Sequence, residues 1–295
     1  MHIAALGSSF AAGPNIPPQT STAARRSGNN YASLLLRSLP ENLPSDSTKS
    51  TATDNVSPHK LTDLTSSGAT LLNVLRDPQE TLLATLPPQI SLLPADVDVV
   101  TLTAGGNDLG YSAGMIADAA RLTVEDEGLL GMMLEGMGLK RGGDEGDGGS
   151  FVSGAVSKEE VAERFVQVID AIKLRAPNAR VFLVEYLAVF GPDSSLAPDQ
   201  PVGEEKVDFY RALAGDLKDA YALAAERRRD VGVEVVRVAD LSEREHALGS
   251  PEPWVTGFTV EGLMGGGAPF HPNALGHRGV AEVLRGRVLG GSEGS

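Results

Sequence analysis

The sequence predicts an α/β chain built as a doubly wound parallel sheet. Two observations carry that expectation. Short apolar runs that end in small or polar residues alternate with longer segments of helical periodicity, the rhythm of successive βαβ units. The apolar runs are also of strand length rather than helix length.

Taken in order, residues 2–6 (His-Ile-Ala-Ala-Leu) read as the first strand and 31–39 as a helix. Residues 39–58, rich in Ser, Thr, Pro and Asp, read as a surface loop. A strand at 60–64 is followed by a short helix at 70–75 that Pro78 stops, and a third strand covers 97–103. Segment 124–156 then breaks the rhythm. Its apolar stretch 129–139 holds three of the six methionines, and residues 142–149 are acidic and glycine-rich. Two readings stand side by side: a mobile cap over an acyl pocket, using the adaptability of methionine, or a short helix packed on the core with a loop after it. In 157–176, Val161, Phe165, Val168, Ile169 and Ile172 recur at helical spacing, and Ser157 with Glu160 forms a capping box. Strands at 180–185 and 233–238 and helices at 204–229 and 272–289 complete the pattern. There is no internal repeat. No linker divides the 295 residues, so a single domain over 1–295 is expected, with a possible lid insertion at 124–156.

Composition narrows the class. A chain with 41% hydrophobic and 22% charged residues can bury a large core. The net charge of −14 disfavours nucleic acid and anionic membrane surfaces as partners, because an acidic field repels phosphate. A small neutral or cationic substrate is easier to admit. With no cysteine, disulfides, thiolate catalysis and Cys-ligated zinc are all excluded. The first residues pass straight into a motif without a basic or apolar leader, and no run is long enough to span a bilayer. A cytoplasmic location is therefore expected. No metal and no cofactor are expected: the histidines lack i, i+4 pairing, no P-loop occurs, and 142–149 neither follows a strand nor opens a helix. The Gly-x-Ser-x-Gly elbow is missing as well.

Chemistry concentrates in four blocks. Gly7-Ser8-Ser9-Phe10-Ala11-Ala12-Gly13 follows the first strand, where open α/β sheets place their sites. Taken alone, Ser9 is an ordinary turn serine. A hydroxyl nucleophile needs a base, and the histidines offer five choices. His2 and His59 border strands and read as structural. His246 is a weak candidate for a pocket wall, and His277 lies inside the last helix in a packing position. His271, in Phe270-His271-Pro272-Asn273, places a ring at the start of that helix. Gly68 and the run Gly105-Gly106-Asn107-Asp108 read separately as a helix-start glycine and a tight turn.

Together and in this order, the four blocks resemble the SGNH (GDSL-type) hydrolases from residue 3 to about 288, segment 124–156 excepted. The resemblance implies a three-layer α/β/α fold with a five-stranded parallel flavodoxin-like sheet, strand order 2-1-3-4-5. It implies Ser9 as nucleophile and His271 as general base, with the Ser9 N–H, the Gly68 N–H and the Asn107 amide as oxyanion hole. The family's usual Asp before the nucleophile is Ser8 here. The usual triad acid, three residues before the histidine, is Ala268. A carbonyl can hold the imidazole tautomer in its place, so a Ser9-His271 dyad is expected, oriented by the carbonyl of Ala268 or Pro269. Asp240 or Glu252 supplying a distant acid is the alternative. Phe10, Tyr111, Trp254 and Phe270 are candidate pocket walls, with a buried structural role open for Trp254. The implied activity is serine-esterase hydrolysis of a small ester through an acyl-enzyme. Its rivals are an acyltransferase using the same intermediate and a non-catalytic binding protein. Acyl specificity and oligomeric state stay open.

Overall fold

In this computed structural model residues 1–41, 59–125, 156–192, 194, 197, 199–259 and 267–290 are described. The loop expected at 39–58 and the cap expected at 124–156 lie, apart from their ends, outside the described residues. The chain begins with β1 (His2–Gly7) and the four-residue α1 (Ser9–Ala12), then folds a small ribbon from β2 (Gln19–Ser21) and β3 (Arg26–Ser27). Helix α2 (Tyr31–Ser38) leads to β4 (Lys60–Asp63) and α3 (Leu71–Leu75). A second ribbon, β5 (Gln79–Glu80) and β6 (Thr85–Leu86), precedes β7 (Val99–Thr103) and α4 (Tyr111–Glu125). Then come α5 (Lys158–Arg175), β8 (Arg180–Val184), α6 (Glu204–Arg227), β9 (Val233–Val236), α7 (Ala239–Glu245) and α8 (Ala274–Leu289).

The main sheet runs β4-β1-β7-β8-β9 with every pair parallel, which is the expected 2-1-3-4-5 order. β1 and β7 are buried along their whole length, as strands covered on both faces must be, and this is why they read as mostly apolar runs without polar alternation on one face. Helices α2 and α8 pack on each other, as do α5 and α6, and α5 also meets α3. On α5 the predicted stripe Val161, Phe165, Val168, Ile169 and Ile172 is fully buried, each side chain contributing about 1.5–3 kcal/mol by leaving water. Ser157 caps α5 by accepting from the Glu160 N–H, while the Glu160 side chain pairs with Arg164.

From β1 the chain goes to one side, to β4, and then to the other, to β7. The order therefore reverses between β1 and β7, and loops leaving the carboxyl ends of these two strands diverge and open a crevice. The predicted blocks at Ser9 and Asn107 leave those two ends.

Candidate active site

The Ser9 turn is set by its preceding glycine. Gly7 has φ +132°, and a Cβ there would stand 2.1 Å from the Thr103 carbonyl oxygen of β7, so only glycine lets the strand ends meet. Gln89 clasps the same residue, accepting from its N–H (2.8 Å) and donating to its carbonyl (2.9 Å). The Ser8 N–H donates to Thr103 O (2.9 Å), after which Ser9 opens α1. The first amides of a helix have no internal acceptor, and the Ser9 N–H finds none among the described residues.

His271 is carried by a loop pinned to residues 254–256. Thr256 N–H donates to His271 O, Phe270 N–H to Thr256 O and Asn273 N–H to Trp254 O. Asn273 then caps α8 by accepting from the Gly276 N–H (2.9 Å). His271 Nε2 lies 2.9 Å from Ser9 Oγ, and Nδ1 lies 2.7 Å from the carbonyl of Pro269. Of the two expected carbonyls, Pro269 meets the ring, while Ala268 O accepts the His271 main-chain N–H. A carbonyl only accepts, so Nδ1 carries the proton and the Nε2 lone pair faces the serine hydroxyl. Burial is the largest influence on the ring, pushing its pKa down to about 4; the Pro269 bond opposes this and the Arg25 charge adds to it. The ring is neutral at pH 7. Neither distant acid is engaged at the ring: Asp240 pairs with Lys218, and Glu252 uses its carbonyl to meet Nδ1 of His246.

Gly68 does not open a helix. It sits at φ +85° in the turn before Thr70, the residue that caps α3, and its N–H has no acceptor among the described residues. Asn107 spends one amide hydrogen on Ala69 O (2.8 Å) and keeps the other. Asp108 ties the two turns together, accepting from the Leu71 N–H (2.9 Å) and from Arg164 (2.8 Å). Two main-chain N–H groups and one side-chain amide thus stand unspent on three loops at one edge of the sheet.

The aromatic residues correct the sequence expectation, because each packs inward. Phe10 is 2% exposed and stacks on Tyr186, beside the His271 ring. Phe270, at φ +57°, turns its ring into the core between Phe190 and Phe258. Trp254 lies flat on His246 (3.9 Å between centroids) and over Gly279 of α8, which settles the choice for this tryptophan in favour of packing. His246 is therefore its stacking partner, not a pocket wall. Tyr111 is buried and borders a separate cavity of about 180 Å³ with Tyr186 and Tyr221. The open space beside the site is a cleft of about 820 Å³ that runs along Gly68, with Arg25 and Gln79 on its sides and Leu82 and Leu83 of the β5–β6 ribbon at its rim. Leu82 is fully exposed and Leu83 largely so. Sequence reasoning misses these rim residues, although a Leu-Leu pair in a polar stretch is a faint signal.

The remaining histidines are structural. His2 bonds Thr62 and has Nδ1 3.2 Å from Asp96 Oδ1, His59 bonds Pro40 O and the amino terminus, and buried His277 accepts from the Tyr31 N–H through Nδ1. Among the described residues no cluster of His, Asp or Glu could hold a metal ion, and no helix is long and apolar enough to cross a membrane.

The GDSL-like lipase/acylhydrolase family model matches residues 5–278. Lipase 2 of Streptomyces coelicolor is 29% identical over 238 residues, covering 76% of this chain and 72% of that protein. An extracellular lipase from Streptomyces rimosus superposes with a TM-score of 0.58 at 23% identity, over 96% of this chain and 98% of the other. Phospholipase A1 from Streptomyces albidoflavus NA297 gives 0.62 at 18% identity, over 96% and 97%. At these identities the two structures establish likeness of fold.

Proposed function

Because the chain belongs to the GDSL-like lipase/acylhydrolase family and is an ester-hydrolysing enzyme, we propose that Ser9 and His271 run the hydrolysis as a dyad through an acyl-enzyme. The observation that carries this reading is the relay from Ser9 Oγ to His271 Nε2 (2.9 Å) and from Nδ1 to Pro269 O (2.7 Å).

Ser9 Oγ attacks the ester carbonyl as its proton moves to Nε2. The resulting oxyanion takes hydrogen bonds from the Ser9 N–H, the Gly68 N–H and the Asn107 amide, each worth roughly 3 kcal/mol of barrier. Collapse expels the alcohol, protonated from Nε2, and leaves the acyl group on Ser9. Water then attacks the acyl-enzyme, His271 taking its proton and returning it to Oγ as the acid departs. The Pro269 carbonyl holds the tautomer throughout and stabilises the imidazolium by its dipole instead of a full charge. One domain carries all these parts, and the substrate is an ester whose acyl chain runs along the cleft beside Gly68 toward Leu82 and Leu83.

Ser9→Ala tests the reading. Hydrolysis of p-nitrophenyl butyrate should fall by roughly 10³-fold or more while the variant still unfolds cooperatively. Turnover at the wild-type rate would remove Ser9 from the mechanism.

A further inference from the structure

Tyr186 follows β8 at the carboxyl edge of the sheet and is almost fully buried. Its phenol meets both turns of the site. The Ser8 hydroxyl shares a hydrogen bond with it, and Gly106 packs against its ring and hydroxyl. Ser8 immediately precedes Ser9, and Gly106 immediately precedes Asn107. The Tyr186 ring also stacks on Phe10, the residue after Ser9, at 4.0 Å and 23°, and Phe10 in turn lies 5.2 Å from the His271 ring. At Gly106 a Cβ would stand 2.5 Å from the Tyr186 ring, so the Asn107 turn rests directly on the tyrosine.

The direction of the hydrogen bonds follows from the acceptor. The Thr103 carbonyl can only accept, so the Ser8 hydrogen points toward it at 3.5 Å and the phenol O–H donates to Ser8 Oγ. The main-chain bond from Ser8 to Thr103 already joins the ends of β1 and β7, but both functional side chains lie beyond that bond, on turns that hang from separate strands. We propose that Tyr186 is a positioning residue whose hydroxyl, bonded to Ser8, and whose ring, packed on Gly106, together fix the spacing between the Ser9 turn and the Asn107 turn, and hence between the attacking oxygen and the oxyanion donor. This rests on the roles given above to Ser9 and Asn107. Displacing reacting groups by about 1 Å costs on the order of 10²-fold in rate, so a buried tie between the turns has a large effect available to it.

Tyr186→Phe keeps the ring and its stack on Phe10 and removes only the hydroxyl. We expect kcat to fall about 10- to 100-fold with KM within about twofold, and labelling of Ser9 by a fluorophosphonate to slow by a similar factor. Ser8→Ala removes the other partner and should reproduce the loss. The double variant should lose no more than either single one, because both delete the same interaction. Tyr210→Phe is the control: it removes a buried phenol bonded to Asp118, away from both turns, and should keep the wild-type kcat. Unchanged kcat in Tyr186→Phe, a loss confined to KM, or single losses that multiply in the double variant would overturn the proposal. Should Tyr186→Phe not fold, the kcat and labelling of Ser8→Ala decide the question alone. Failure of the wild-type enzyme to label would instead overturn the Ser9 assignment, since that measurement does not involve the tyrosine substitution.

Discussion

Acidification probes the proposed dyad without altering a side chain. Burial holds the His271 pKa near 4, and no carboxylate is among the groups that act on it. An ordinary imidazole titrates near 6.5 and is about 3% neutral at pH 5, whereas a group titrating at about 4 is about 90% neutral there, a difference of about 30-fold in available base. The value of kcat/KM reports the free enzyme's base, so its acid limb should fall near pH 4, and most of the pH 7 value should survive at pH 5. The assay is kcat/KM for p-nitrophenyl butyrate from pH 4 to 8, read at the isosbestic wavelength of the product. Folding must be followed alongside by circular dichroism, because the same burial weakens the fold in acid. Between about 6.5 and about 4 the unfolded chain binds the proton that the folded ring refuses, so stability falls as pH falls across that window. The full shift amounts to roughly 3 kcal/mol by pH 4. His277, which burial pushes down to about 3, acts in the same direction. An acid limb at pH 6 or above in a folded enzyme would refute the reasoning, since it would require a negative charge or water at the ring.

Asn107→Ala should lower kcat by about 10²-fold or more with little change in KM, because an oxyanion donor acts mainly in the transition state; steady-state kinetics on the butyrate ester check this. Replacing Leu82 and Leu83 together by Ser should raise KM for octanoyl and longer esters and spare the acetyl ester, as read from a chain-length series. Gly7→Ala should cost about 3 kcal/mol or more in urea unfolding, since it combines a forbidden backbone angle with a 2.1 Å contact on Thr103 O.

The sheet is legible in the sequence because β1 and β7, covered on both faces, are apolar at most positions, and the runs stop at the small and polar residues that begin the loops. α5 is equally plain, its buried stripe recurring at helical spacing. α1 has only four residues, too few for any period to appear, and the two ribbons are shorter still. Ser9 and His271 can be named because their blocks keep a recognisable order. The aromatic walls cannot, since nearness in sequence to a catalytic residue does not say which way a ring points. Phe270 adjoins His271, yet its left-handed backbone sends the ring into the core. Tyr186 has no local signature at all. Its partner Ser8 is 178 positions away, and only the parallel run β1-β7-β8 brings the two together.

The Pro269 carbonyl has a bearing on how this enzyme would look to mutational genetics. A library that replaces every side chain in turn leaves a main-chain oxygen in place, so the group proposed to aim the base cannot be deleted and would be absent from any map of sensitive positions. The intolerance should move one residue along. Phe270 holds a positive φ that a bulky side chain adopts only when its surroundings compel it, and its ring, wedged between Phe190 and Phe258, supplies that compulsion. A screen would score Phe270 as a core residue lost to misfolding, although on the proposed mechanism its backbone angle also sets the direction of the neighbouring carbonyl. Exchanging the Pro269–Phe270 amide for an ester, by incorporating an α-hydroxy acid at position 270, would leave that carbonyl in place as a weaker acceptor while also removing the Phe270 N–H that donates to Thr256 O. The same exchange at position 256, which removes the Thr256 N–H to His271 O bond and leaves the Pro269 carbonyl unchanged, is its control.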